Sequence, residues 1–165
     1  MRVMRGIVVV LFGVILGISA SFGMPVMVGV AGTWNLTLTA ADLNPPNTAG
    51  ADFSSTYSSL VVGGGGPIIV TANGGGGPTW TVSLSKADVL WPAGVALIAS
   101  LEPPVPGTVV LNNSPVTVTG VSAILYRDNT NGSPITIYYQ LSGVSIVNLV
   151  ATTYSTTVFF TVASP

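Results

Sequence analysis

The side chains able to do acid–base, nucleophilic or metal chemistry are few in this sequence, and their spacing limits what they can do. Five carboxylates, Asp42, Asp52, Asp88, Glu102 and Asp128, all fall in stretches that read as loops or turns, with no spacing that pairs two of them. General acid–base catalysis draws on histidine or on paired carboxylates with shifted pKa values, and histidine is absent. Serine is abundant, yet without histidine no Ser-His-Asp triad forms, and Lys86 is the single lysine open to a Ser-Lys pair. No catalytic residues and no cofactor are expected. Asp128, Asn129 and Asn131 alternate hard oxygen ligands in a way that suits calcium, but with Gly132 they equally suit a hairpin turn, so no metal site is assigned.

Two other patterns invite a ligand. Residues 63–67 and 74–78 are each Gly-Gly-Gly-Gly-Pro, but neither ends in the Lys-Ser/Thr of a phosphate loop nor leads from a strand into a helix. Flexible turns between strands explain them better. Trp34, Trp80, Trp91, Tyr138 and Tyr139 could make a sugar-stacking face. Trp34 and Trp80, however, sit at in-facing positions of alternating segments and read as core, which leaves Trp91, beside Pro92 in a bend, as the more exposed aromatic.

The elements that must position these residues follow from composition and periodicity. A length of 165 residues suits one domain plus a targeting segment. Only 5% of residues are charged, against roughly 25% in an ordinary soluble domain. Such a surface does little to oppose association. Thr, Ser, Val and Gly take the place of Lys, Glu and Ala, which favours strands and turns over helices. Cysteine is absent, so neither disulfides nor thiolate metal sites contribute. Once the first 23 residues are removed, Lys86 and Arg127 face five carboxylates, a net charge of about −3. Two isolated cations cannot neutralise a run of phosphates, which excludes nucleic-acid binding by that route.

The chain opens with Arg2 and Arg5, an apolar block over residues 7–22, and Ser19-Ala20-Ser21-Phe22-Gly23, small residues suited to cleavage. That is the layout of a signal peptide, residues 1–23, and the block is short for a membrane span of about 20 residues. From residue 24 the pattern changes to period two. Met24, Val26, Val28 and Val30 alternate with Pro25, Met27, Gly29 and Ala31, the mark of a strand with one buried face. Residues 24–32 are therefore read as an extended N-terminal strand and linker, and 33–165 as the folded domain. Its strands are expected at 33–40, 68–72, 79–85, 95–101, 108–111, 116–126, 135–141, 144–149 and 154–162. Residues 42–59 form a long connection anchored by Phe53 and Tyr57, Lys86-Ala87-Asp88 a polar turn, and residues 128–132 a hairpin loop. The fold expected is all-β, an immunoglobulin-like or jelly-roll-type β-sandwich of about eight to ten strands.

The leader, the apolar strand running into Gly32-Thr33-Trp34-Asn35-Leu36-Thr37-Leu38-Thr39, the central Thr79-Trp80-Thr81-Val82-Ser83-Leu84 and the closing Thr153-Tyr154-Ser155-Thr156-Thr157-Val158-Phe159-Phe160-Thr161-Val162 together resemble secreted β-sandwich fibre subunits. The nearest in kind are archaeal bundling pilins and camelysin-type biofilm fibre proteins. The resemblance implies that the N-terminal strand of one subunit completes the sandwich of the next, with Met24, Val26, Val28 and Val30 at the position of the donor strand. Four such side chains buried at 1.5–3 kcal/mol each amount to about 6–12 kcal/mol gross, comparable with the net stability of a domain.

The closing strand presents Tyr154, Thr156, Val158, Phe160 and Val162 on one face, and Tyr154, Val158, Phe160 and Val162 are the candidate acceptor groove. Asn35-Leu36-Thr37 and Asn112-Asn113-Ser114 make Asn35 and Asn112 possible glycosylation sites. The expectation is an exported, cell-surface homopolymer that meets a membrane only during export. The alternatives are a pilin-type or membrane-anchored protein that keeps residues 7–31 as an apolar helix, and a secreted carbohydrate-binding module.

Overall fold

Alternation of apolar residues with Thr, Ser or Asn builds β-strand segments 34–38, 80–85, 116–118 and 153–163. The computed structural model describes residues 7–15, 27–31, 34–59, 68–73, 80–101, 109–112, 114–128, 134–150 and 152–163. Their strands are β1 (Ile7–Ile15), β2 (Met27–Ala31), β3 (Trp34–Leu38), β4 (Leu43–Asn44), β5 (Asp52–Phe53), β6 (Thr56–Ser58), β7 (Ile68–Asn73), β8 (Trp80–Leu90), β9 (Ala96–Leu101), β10 (Val109–Asn112), β11 (Val116–Val118), β12 (Ala123–Asp128), β13 (Pro134–Ser142) and β14 (Thr153–Ala163).

The protein is an all-β sandwich. One sheet has the order β10-β12-β8-β14-β1-β3, and the other β11-β9-β13-β7-β2. In the second sheet β6 lies beside the C-terminal half of β13 and β7 beside its N-terminal half. A single apolar cluster draws on both sheets. Trp34, Leu36 and Leu38 come from β3, Val82 and Leu84 from β8, Leu97 and Ala99 from β9, Ile135, Ile137, Tyr139 and Leu141 from β13, and Tyr154, Val158, Phe160 and Val162 from β14. In β14 the odd-numbered residues point away from this core, as period two requires. Thr156, the polar member of the buried row, donates its hydroxyl to the Ala87 carbonyl (3.1 Å), which offsets the cost of desolvating it.

Several segments differ from the sequence expectation. Lys86-Ala87-Asp88 is no turn but lies inside β8, which runs unbroken to Leu90. The side chains of Lys86 and Asp88 leave the same face of the strand and form an ion pair, and the Lys86 ammonium lies 4.4 Å from the centre of the Trp91 ring. A lysine whose stem lies on apolar surface and whose charge is matched within its own strand need not break it. The expected strand 116–126 is two strands in different sheets, β11 against β9 and β12 against β8. The chain crosses from one sheet to the other at residues 119–122, where Thr119 Oγ1 accepts from the Val121 amide (3.2 Å). Within β12 a bulge between Ile124 and Tyr126 lets the consecutive Leu125 and Tyr126 both be buried.

β12 and β13 belong to different sheets and so are not the two arms of one hairpin; of the expected hairpin loop 128–132, residues 129–132 lie outside the described residues. The predicted strand 144–149 is a loop with a turn at residues 146–148, and β3 stops at Leu38 rather than residue 40. There Thr39 Oγ1 accepts from the Ala41 amide, and the Asp42 carboxylate accepts from the Thr39 amide (2.7 Å), a capping box that turns the chain into a short 3₁₀ turn. Phe53 and Tyr57 are buried anchors of the 42–59 connection, as expected. Among the described residues the strand elements number fourteen, more than the eight to ten foreseen, because β1 falls in the expected leader, residues 116–126 give two strands, and β4, β5 and β6 are two- or three-residue pairings within that connection.

Phe160→Ala is expected to lower stability by about 3–5 kcal/mol, because it opens a cavity in the centre of this core. Thr161→Ala, on the exposed side of the same strand, should change it by no more than about 0.5 kcal/mol. Urea unfolding midpoints of the two variants check the contrast.

Candidate functional site

The residues proposed as an acceptor groove are brought together by β14, and the structure supplies the other wall. β1 lies between β14 and β3, parallel to β14 from Val8↔Thr153 to Ile15↔Phe160 and antiparallel to β3 from Ile7↔Leu38 to Leu11↔Trp34. The odd-numbered residues of β1 fall in register with the buried rows on either side: Val9 with Leu36 and Tyr154, Leu11 with Trp34 and Thr156. Tyr154, Val158, Phe160 and Val162 are therefore one wall of a one-strand slot, and Trp34, Leu36 and Leu38, all at most 2% exposed, are the other. Alternation in residues 34–38 already marked this second wall as a buried row. Its partnership with β14 was hidden because β1 stands between them.

Residues 7–15, expected within a cleaved leader, are thus a strand in this structure, and neither they nor residues 27–31 are helical. Ile, Val, Leu and Phe in an unbroken run suit a leader and also a strand with neighbours on both sides. Beside two strands with unpaired edges, pairing satisfies the backbone. Of the donor residues, Val28 and Val30 lie in β2, which pairs antiparallel with β7 at the edge of the other sheet, Val28↔Ala72 and Val30↔Val70. Val30 is partly buried against the core. Met24 and Val26 lie outside the described residues.

The end of the slot where β14 begins carries loops tied down by side-chain hydrogen bonds. Trp91 Nε1 donates to the Val95 carbonyl (2.7 Å), and the Val150 amide donates to the Tyr154 hydroxyl (2.8 Å). Gly143 (φ +79°) passes so close to Gly94 that a Cβ would lie 2.4 Å from the Gly94 oxygen, so any side chain there would force the loops apart. Asp52 accepts from Ser145 Oγ (2.7 Å) and from the Ile146 amide (2.7 Å), fastening the 144–150 loop to β5. The Ser145 hydroxyl, then the Ile146 amide, hold the Asp52 carboxyl below its ordinary value of 3.8. Beneath these loops Leu38, Trp91, Val95, Leu141, Leu149 and Tyr154 enclose a cavity of about 10 Å³, the size of a single water. Burial pushes the Tyr139 phenol far above its usual range and raises that of Tyr57 as well.

The remaining candidates are dispersed. Asp42 caps a turn, Asp52 fastens a loop and Asp88 pairs with Lys86, so the carboxylates whose contacts are described serve three separate places. Glu102, Asn129 and Asn131 lie outside the described residues, and among the described residues no group of three or more His, Cys, Asp or Glu could hold a metal ion. Trp34 and Tyr139 are core, Tyr138 faces the other side of β13, and Lys86 covers Trp91, so these four do not form one stacking face. Asn35 is half-buried on the outer side of β3 next to β1, and Asn112 is the last residue of β10. Among the described residues no helix is long and apolar enough to cross a membrane. No protein-family model matches this chain, and no curated protein matches it either.

Asp52→Asn tests the loop clasp. A carboxylate whose folded-state pKa is depressed stabilises the fold above its unfolded pKa, and that contribution is lost as pH falls through the folded value. The wild-type thermal midpoint should therefore fall more steeply than that of the variant as pH drops below 3.8. At neutral pH the variant should exchange its Ile146 amide hydrogen faster.

Proposed function

We propose that this chain is a structural subunit of an extracellular filament, a pilus or biofilm fibre at the cell surface, that polymerises head to tail by strand donation. After export, the strand 24–31 of one subunit completes the sandwich of the next. The observation that supports this most is the dependence of β3 on β1. Among the described residues β3 has one neighbour in its sheet, β1, and through it joins β14. Sequence places β1 inside the leader. Once the leader is cut away, Trp34, Leu36 and Leu38 lose the strand that ties them to the sheet, and β14 gains a free edge. An open slot between two apolar rows is an invitation to pairing with another chain, and strand addition supplies backbone hydrogen bonds for direction and side-chain pockets for specificity.

The low charge agrees with close packing of identical subunits, since few like charges meet across an interface. Glycans at Asn35 or Asn112 are compatible with an exported chain, and the partner in the polymer is another copy of the same chain.

N-terminal sequencing of the exported protein should find a start near Met24, and negative-stain microscopy should show filaments. A mature chain beginning at Ile7 would contradict this function. Val28→Asp should leave the subunit exported but unpolymerised, because a carboxylate has no partner in an apolar slot. Intact filaments from that variant would also overturn it.

A further inference from the structure

The slot has two distinct ends, and they differ chemically. At one end lie Ile7, Leu38 and Thr153; at the other Ile15, Phe160 and the start of β3 at Trp34. Leu90, the last residue of β8, is in register with Ser155 and so belongs to the Thr153 end. The 144–150 loop belongs there too, because the Val150 amide bonds to Tyr154. This end exposes Val89 (83%), Leu90 (47%), Val147 (87%) and Val150 (68%). Single exposed apolar residues are ordinary, but four at one end of a sandwich mark a surface that is covered in use.

Resting on the filament function above, we infer that the donated strand of a second copy enters this slot antiparallel to β14, opposite in direction to β1, with the body of its donor seated on the Val89, Leu90, Val147 and Val150 end. Polarity decides the direction. Ala31 and Trp34 are three residues apart, so a donated strand ends within about 11 Å of the start of its own β3. A donor's body therefore follows its strand through its own Trp34 end.

If the strand entered parallel to β14, as β1 runs, the Trp34 end of the donor would meet the Trp34 end of the acceptor. Like ends would face each other, the exchange could be reciprocal, and assembly would close at a pair. Antiparallel entry brings the donor's Trp34 end onto the acceptor's Thr153 end. Unlike ends then meet, the contact is heterologous, and growth stays open. The same placement covers the exposed apolar residues, an observation independent of the topology. β1 holds the slot in the unprocessed chain but runs in the direction that cannot propagate a filament.

The chain lacks cysteine, so single cysteines report direction cleanly. Ala31→Cys in one copy marks the C-terminal end of the donated strand, on the side of the alternation opposite Val28 and Val30. Thr153→Cys and Thr161→Cys, both at exposed positions of β14, mark the two ends of the acceptor wall. They are eight residues apart, about 27 Å along a strand, beyond the reach of a short bifunctional maleimide.

Filaments from co-expressed Ala31→Cys and Thr153→Cys subunits should give a cross-linked dimer, and those from Ala31→Cys with Thr161→Cys none above background. The reverse pattern would overturn the direction, and filaments with neither cross-link would overturn the slot. If the wild-type exported protein forms no filaments, the function itself fails and this inference with it. Val147→Asp supplies a test that needs no cysteine: at so exposed a position it should leave the thermal midpoint of the subunit unchanged and abolish filaments. Filaments from Val147→Asp at wild-type yield would overturn the covering of this end.

Discussion

The constraint on which the rest of the sandwich depends is the need of β3 for a strand at its side. Trp34, Leu36 and Leu38 are among the most buried residues of the protein, yet they belong to a five-residue strand whose sheet partner is β1. Backbone donors and acceptors next to a buried row cannot be left unpaired without costing about 1–3 kcal/mol each. Whatever lies between β3 and β14 therefore holds one edge of the core in place, and a chain that gives up β1 on export must replace it.

Much of the fold was legible in the sequence because period two is hard to mistake where one face is buried. β3, β9, β13 and β14 were found within about two residues of their bounds, and Trp34 was rightly placed in the core. What escaped had local causes. Lys86 and Asp88 signalled a turn because charges usually do, and only their ion pair beside Trp91 shows why a strand accommodates them. Residues 116–126 looked continuous because the change of sheet at residues 119–122 is made by a Thr-Gly bend that carries no proline. The apolar run 144–149 has the composition of a strand, but Asp52, more than ninety residues earlier in the chain, captures its backbone instead. Long-range capture of this kind leaves no local pattern.

The candidate site was half legible. The β14 wall was evident, since Tyr154, Val158, Phe160 and Val162 share one face at the end of the chain. The β3 wall was read as core, its relation to β14 depending on a third strand. That strand was unreadable as such: residues 7–15 satisfy the hydropathy of an export leader and that of a strand with two neighbours, and composition alone does not separate them. The distinction is one of environment. A leader has no strand partners; in the folded chain this run has two.

This double use bears on how assembly could be made directional. Residues 7–15 and 24–31 are both apolar and of nearly equal length, so their affinities for the same slot would differ by no more than the burial of one or two side chains, about 2–5 kcal/mol. Exchange between them would then approach a balance, and a population shift from nearly all of one state to nearly all of the other takes about 5.5 kcal/mol. On the proposed function, cleavage of a leader would remove the competitor from the covalent chain and with it the high effective concentration that favours an attached strand. Directionality on this account comes from the cut rather than from a better fit, and the donated strand needs only enough apolar surface to hold a slot that can no longer be filled from within.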